Sequence, residues 1–296
     1  MITVTNLRKA FNGLVAVEDV SFELKAGEAF GLLGPNGAGK TTTISMMVGV
    51  LHPDSGTVAI DGVDDPTKPS LRRKIGNAPQ ALAIYEDLTA EENLRFFGKL
   101  YNLSGKELAS KVDQMLDLVG LTDRRGDRVK TFSGGMQRRL NLACAIIHDP
   151  PILLLDEPTV GVDPQSRNLI FERIELLQKQ GRTIVYTTHY MEEAQRLCDR
   201  VAIIDHGKIL ALDTVPRLIA DHGGSAVVEA DLNTIPDNAA ALPGTLEGDH
   251  LRFETSQPME DIARMSREGL DFRTLTIDQP DLESVFLNLT GRRLRD

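Results

Sequence analysis

The run Gly34-Pro35-Asn36-Gly37-Ala38-Gly39-Lys40-Thr41 constrains this chain more than any other segment. A short β-rich run at 28–33 precedes it, and a helical pattern from Thr41 to Leu51 follows, so the sequence reads as strand, glycine-rich loop and helix. A loop in that setting crowds backbone N–H groups around a phosphate at a helix start, where the helix dipole favours negative charge. Gly34, Asn36, Gly37, Ala38 and Gly39 would shape the cradle. Lys40 would neutralise β/γ-phosphate charge, Thr41 would offer its hydroxyl to magnesium, and Thr42 would add a phosphate hydrogen bond. It is the flanking strand and helix that separate this loop from a chance glycine-rich turn. Taken alone, the loop specifies a bound nucleotide and leaves the use of that nucleotide open.

The rest of the chain builds an α/β frame around the loop. Short β-rich runs in residues 1–33, with turn residues at Asn12-Gly13 and Ala26-Gly27, predict antiparallel strands leading into a buried one. Segment 56–62 returns to strand. A helical insert spans about 87–150: helix formers fill 87–125, with Leu108, Val112, Met115, Leu116 and Val119 at helical spacing, and a further helix occupies about 134–147. Then come ILLLD at 152–156, a helix at about 164–180, TIVYTT at 183–188 and a hairpin at 201–213. This alternation implies a mostly parallel sheet. The expected class is therefore a P-loop α/β domain over 1–215. It carries an antiparallel N-terminal β subdomain and is followed by a small α+β domain at 223–296, with strands in SAVVEAD, HLRFET and FRTLTI and helices at 258–268 and 281–290.

A second set of residues falls where a phosphate site needs it. Asp156 and Glu157 follow four apolar residues, as expected of a buried strand delivering carboxylates to a magnesium site. Asp156 would hold the metal through water, and Glu157 would polarise the attacking water as general base. Ser133-Gly134-Gly135, at the start of a helix, is a second anion-binding feature that one phosphate loop does not need. Its phosphate must come from elsewhere.

With these motifs in this order, the chain resembles the ABC ATPase family, in which the Ser-Gly-Gly of one subunit closes over the γ-phosphate held by another. Pro79-Gln80 resembles that family's Q-loop, Val160-Gly161-Val162-Asp163 its D-loop, and His189 its switch histidine. The resemblance implies that Gln80 senses γ-phosphate, magnesium and water, that Asp163 crosses a dimer interface, that His189 contacts the γ-phosphate and that Phe11 stacks on adenine. Met136 stands where the family commonly has Gln, and Val160-Gly161 where it has Ser-Ala. Neither change removes a phosphate ligand. Both variants, and the ending LESVFLNLTGRRLRD, resemble the ATPase subunits of type-2 bacterial exporters of the daunorubicin-resistance kind. The resemblance is strong over 1–215 and moderate beyond.

Composition bounds the partners. A net charge of −10 gives no electrostatic footprint for nucleic acid or anionic lipid. No apolar stretch approaches the roughly 18 residues of a membrane-spanning helix, and the N-terminus lacks a secretory h-region. Cys144 and Cys198, the only cysteines, sit between apolar neighbours in helical patterns and read as small buried residues rather than a disulfide or a zinc site. The reading that follows is a Mg2+-dependent ATPase forming a homodimer or pseudo-dimer around ATP. It would be peripheral on the cytoplasmic face of the membrane and would power a separate transmembrane permease. A repair or translation ATPase acting on nucleic acid would carry paired cassettes, a coiled coil or zinc modules. A non-hydrolysing regulatory module would have lost Glu157 or His189. The C-terminal domain is expected to regulate or brace the dimer.

Overall fold

The computed structural model describes residues 1–235 and 242–292, so the last four residues of the C-terminal ending lie outside it. Strands β1 (Ile2–Phe11) and β2 (Leu14–Leu24) form an antiparallel hairpin. At its tip, Asn12 and Gly13 both take positive φ, 48° and 87°, which matches a tight turn to the strand twist. Strand β3 (Ala29–Leu33) is buried at every position, the phosphate loop runs into α1 (Lys40–Met47), and β4 (Ser55–Ile60) returns antiparallel to β1. The order β2-β1-β4 makes a three-stranded sheet.

After α2 (Pro69–Arg72) and β5 (Ile75–Ala78) come three helices, α3 (Ala90–Leu100), α4 (Gly105–Leu118) and α5 (Gly134–Ile146). A capping box starts α3: the Thr89 hydroxyl accepts from Glu92 N–H and the Glu92 carboxylate accepts from Thr89 N–H. Leu94, Leu108, Val112, Leu116 and Val119 pack with Leu140 and Cys144 of α5 into a helical core. Each buried leucine there contributes about 1.5–3 kcal/mol by leaving water.

The chain then alternates through β6 (Ile152–Asp156), α6 (Pro164–Lys179), β7 (Thr183–Thr188), α7 (Met191–Leu197), β8 (Arg200–Asp205) and β9 (Lys208–Thr214). The six-stranded sheet has the order β5-β6-β7-β3-β8-β9 and is parallel except for the β8-β9 hairpin. Its central strands β3, β6 and β7 are buried along their whole length, which is why they read as continuous apolar runs rather than alternating ones. Because β5, β6, β7 and β3 run parallel, their C-terminal ends share one edge, where open α/β sheets place ligands. A second core, including Ile2, Leu7, Val20, Ile44, Met47, Leu154 and Ile204, joins this sheet to β1, β2, β4 and α1.

The chain divides into two compact units, and the second begins at Pro216, in the first turn of α8 (Val215–His222). The sequence reading left α8 out of both domains. The structure ties it to the C-terminal part, because Asn288 Nδ2 donates to His222 O at 2.9 Å. The unit continues with β10 (Ala226–Leu232), β11 (Thr245–Glu247), β12 (His250–Thr255), α9 (Pro258–Arg267), β13 (Phe272–Asp278) and α10 (Leu282–Thr290). Its antiparallel sheet has the order β11-β12-β10-β13, and Val228, Leu232, Leu251 and Phe253 pack with Met265 of α9. Alternate positions of β10 and β12 face that core, the period-2 burial of a one-sided sheet.

The two cores described above lie within the first unit, so a chain ending at Thr214 is expected to unfold cooperatively in urea and to bind ATP within about threefold of the full chain. A broad, non-cooperative melt of that shortened chain would show that the two units depend on one core.

Candidate functional site

The loop from Gly34 to Gly39 leaves β3 and turns into α1. Gly39 sits at φ 102°, and a Cβ there would lie 2.4 Å from Ala16 O, so only glycine closes the turn. The loop borders a cleft of about 410 Å³ lined by Phe11, Leu14, Ala16, Asn36, Gly37, Gly39, Lys40, Thr41, Thr42, Gln80 and Glu157. Gly34 and Ala38 are buried behind the cleft wall: Gly34 O accepts from Lys40 Nζ at 2.7 Å, and Ala38 O accepts from Gly207 N–H at 3.1 Å. Phe11, at the end of β1, is 44% exposed on the cleft wall, with Lys9 Nζ 5.8 Å from its ring centre.

Opposite the loop, β6 ends in Asp156 and Glu157 follows it, both almost fully buried. Asp156 Oδ1 accepts from the Thr187 hydroxyl at 2.5 Å. Glu157 takes φ 46°, a left-handed conformation that costs a non-glycine residue about 1–2 kcal/mol. Its N–H donates to Thr187 Oγ1 at 2.9 Å, which fixes the kink and turns the side chain into the cleft.

Three polar side chains converge on the Glu157 carboxylate. Lys40 Nζ lies 3.1 Å from Oε1, Gln80 Nε2 donates to Oε2 at 2.9 Å, and His189 Nδ1 is 3.3 Å from Oε1. Burial works to raise the pKa of Glu157, but the charges and hydrogen bonds of Lys40 and His189 outweigh it and hold the carboxyl below its usual range. The group is thus ionised at neutral pH. Gln80 and His189 therefore meet on one carboxylate although they leave different strands, β5 and β7.

Ser133, Gly134, Gly135 and Asp163 do not line this cleft. Ser133 caps α5, accepting from Met136 N–H at 3.3 Å, and Asp163 caps α6, accepting from Ser166 N–H at 2.9 Å. A Cβ on Gly135 would lie 2.4 Å from Ser166 Oγ and 3.2 Å from Asp163 Oδ2, so these two helix starts touch. They form one separate polar edge.

The oxygen donors of Thr41, Gln80 and Asp156 suit a hard cation such as Mg2+, which keeps several waters and substrate phosphates among its ligands rather than requiring a protein cage.

Two residues of this region carried no assignment from sequence. Arg138, on α5, donates through Nη1 to Gln80 O and so straps the Gln80 loop to the helix that Ser133 caps. Burial lowers its pKa against the pull of Glu157 and Asp156. Its one sequence signal was its place in the run that follows Gly135. Glu193 is fully buried behind the loops that carry Glu157 and His189. An acid in the first turn of a helix reads in sequence as a solvated, dipole-favoured group, so nothing pointed to that burial.

Residues 17–160 match the family model described as ABC transporter. The chain is 42% identical to the linearmycin resistance ATP-binding protein LnrL of Bacillus subtilis, over all of both chains. It is 40% identical to the Nod factor export ATP-binding protein I of Cupriavidus metallidurans, over all of this chain and 99% of that one. Among solved structures it resembles the dimeric post-hydrolysis state of the ATP-binding cassette MJ0796 bound to ADP and Pi, with a TM-score of 0.67 and 27% identity, over 72% of this chain and 98% of that one.

Proposed function

Since the chain belongs to the ABC transporter ATP-binding family, we propose that it is the ATP-hydrolysing subunit of an exporter, working as a dimer with a separate membrane subunit. The observation that carries this reading is the convergence of Lys40, Gln80 and His189 on Glu157 in one cleft walled by the phosphate loop. Export is supported by the relative from Cupriavidus metallidurans, a Nod factor export ATP-binding protein.

In this reading Phe11 stacks on the adenine. The Gly37–Gly39 backbone, Lys40 and Thr42 hold the phosphates. Thr41, Asp156 and Gln80 would hold Mg2+, which when bound neutralises phosphate charge as a Lewis acid. Glu157 takes a proton from water as the water oxygen bonds to the γ-phosphorus, and the bond from γ-phosphorus to the β-γ bridging oxygen breaks, leaving ADP and phosphate. His189 donates to a γ-phosphate oxygen. Ser133, Gly134, Gly135 and Asp163 serve the nucleotide of the second copy, which accounts for their distance from the local cleft.

The membrane subunit is assigned to an exposed apolar surface. Val50 is 75% and Leu100 61% exposed, Phe96 lies one turn before Leu100 on α3, and Tyr85 packs edge-on to Phe96 with ring centres 4.9 Å apart. Beside Val50, a cleft of about 190 Å³ that includes Arg72, Ile75 and Tyr101 also contains Asn77, whose buried Oδ1 has no hydrogen-bond partner among the described residues. An apolar segment ending in a donor fits there. No helix among the described residues is long and apolar enough to cross a membrane, so attachment to the cytoplasmic face would run through this surface.

Combining Val50→Glu with Leu100→Glu is expected to leave the ATPase rate of the isolated protein unchanged while abolishing cosedimentation with membranes holding the partner subunit. Cosedimentation at the unsubstituted level would remove this surface from the docking role.

A further inference from the structure

Glu193 is 1% exposed in the first turn of α7. A carboxylate so placed is costly to bury unless its lone pairs are filled. Its Oε1 accepts from Thr159 Oγ1 at 2.7 Å, and its Oε2 accepts from Tyr186 OH at 2.8 Å and from Thr188 Oγ1 at 2.7 Å. Arg167 Nε stands 3.9 Å from Oε1. Burial, reinforced by the neighbouring carboxylate, holds the ionisation of Tyr186 far above its ordinary value, so its phenol stays a donor.

The donors come from segments that carry the proposed chemistry. Thr159 lies two residues after Glu157 and four before Asp163. Thr188 immediately precedes His189, and its hydroxyl, while donating to Glu193, accepts from Tyr190 N–H at 2.9 Å. The residues on both sides of His189 are therefore fixed by one hydroxyl that Glu193 orients. Arg167 belongs to α6, which Asp163 caps, and its guanidinium lies over the Tyr190 ring at 5.2 Å. A hydrophobic residue of similar size would fill the same space at a lower desolvation cost if packing were all that was required. The carboxylate supplies direction: three hydroxyls, one from the loop after β6 and two from β7, point at one place.

We propose that Glu193 is a positioning residue for ATP hydrolysis, locking the Glu157 loop and the His189 loop into one piece so that Nδ1 of His189 stays within reach of Glu157. Glu193 does not line the nucleotide cleft, so it acts through those two residues and leaves binding to the phosphate loop. The inference rests on the reading of Glu157 and His189 given above.

The test is steady-state ATPase kinetics on the full-length protein and on His189→Ala, Glu193→Gln and the double variant. Glutamine keeps the size but turns an amide N–H toward a hydroxyl that must donate. The expected result for Glu193→Gln is a fall in kcat of about 10- to 100-fold with KM for ATP within about twofold, the scale of a buried hydrogen bond lost at the transition state only. The double variant should be no slower than His189→Ala alone, because both changes act on one unit. Urea melts confirm that each variant is folded at the assay temperature. If Glu193→Gln does not fold, Thr188→Val, which removes a single donor, takes its place with the same expectation. Wild-type kcat in Glu193→Gln beside an inactive His189→Ala overturns this inference alone, as do losses that multiply in the double variant. Near-wild-type turnover in His189→Ala overturns it together with the reading beneath it.

Discussion

Glu157→Gln is expected to bind ATP at least as tightly as the unsubstituted protein, to hydrolyse it at least about 1,000-fold more slowly, and to accumulate as an ATP-bound dimer. The amide keeps the shape of the side chain and its contact with Gln80, but it has no basic oxygen with which to take a proton from water. The phosphate loop is untouched. The substitution also removes the anion that Lys40 faces at 3.1 Å, so no carboxylate competes with phosphate for the ammonium, which favours trapping over release. Single-turnover hydrolysis and gel filtration with ATP and Mg2+ would measure both effects. Turnover near that of the unsubstituted protein, with no dimer, would exclude Glu157 as the base.

Ser133→Arg should abolish hydrolysis to a similar degree while leaving the ATP affinity of the single subunit nearly unchanged. The reason is positional: Ser133 caps α5 on a polar edge shared with Asp163, outside the cleft that holds Lys40 and Glu157. An arginine there meets the second copy, not the local nucleotide. Mixing is the sharper measurement. In a dimer of one Ser133→Arg chain and one Glu157→Gln chain, one composite site has both lesions and the other has neither. Equimolar mixing of two inactive proteins is therefore expected to restore roughly a quarter of wild-type activity, from half of the dimers at one site each. No recovery on mixing, together with a large loss of single-subunit affinity in Ser133→Arg, would place Ser133 in the local site.

The sequence was most legible where local chemistry and burial agree. The phosphate loop, the ILLLD and TIVYTT strands and the Asn12-Gly13 hairpin each have one low-energy solution, and the structure adopts it. The helical insert was readable because Leu108, Val112, Leu116 and Val119 keep helical spacing and share one core. The carboxylates at 156–157 could be placed at a strand end, but not the left-handed kink that aims Glu157, because that depends on a hydroxyl thirty residues later in the chain. The sequence reading gave residues 216–222 no element, and it is the hydrogen bond from Asn288 to His222 that ties α8 to the C-terminal part. Glu193 and Arg138 were illegible for a related reason: a charged side chain in the early turns of a helix looks solvated, and only tertiary structure brings Thr159, Tyr186 and Thr188, or the carbonyl of Gln80, to meet it.

The contact between Lys40 and Glu157 gives nucleotide binding the character of an exchange. One ammonium, 4% exposed, is shared between a carboxylate of its own chain and whatever phosphate enters, and a buried cation cannot fully satisfy both. In the proposed reading, an arriving triphosphate would have to win Lys40 from Glu157, and to the extent that it did so, it would also release that carboxylate for its next task. Filling the cleft and readying the proposed base would thus become one ion-exchange event, penalising weakly charged occupants. A nucleotide too poor in negative charge to draw the lysine away would leave Glu157 paired with it, so selection for the triphosphate would be built into the same pair of atoms that is proposed to govern its cleavage.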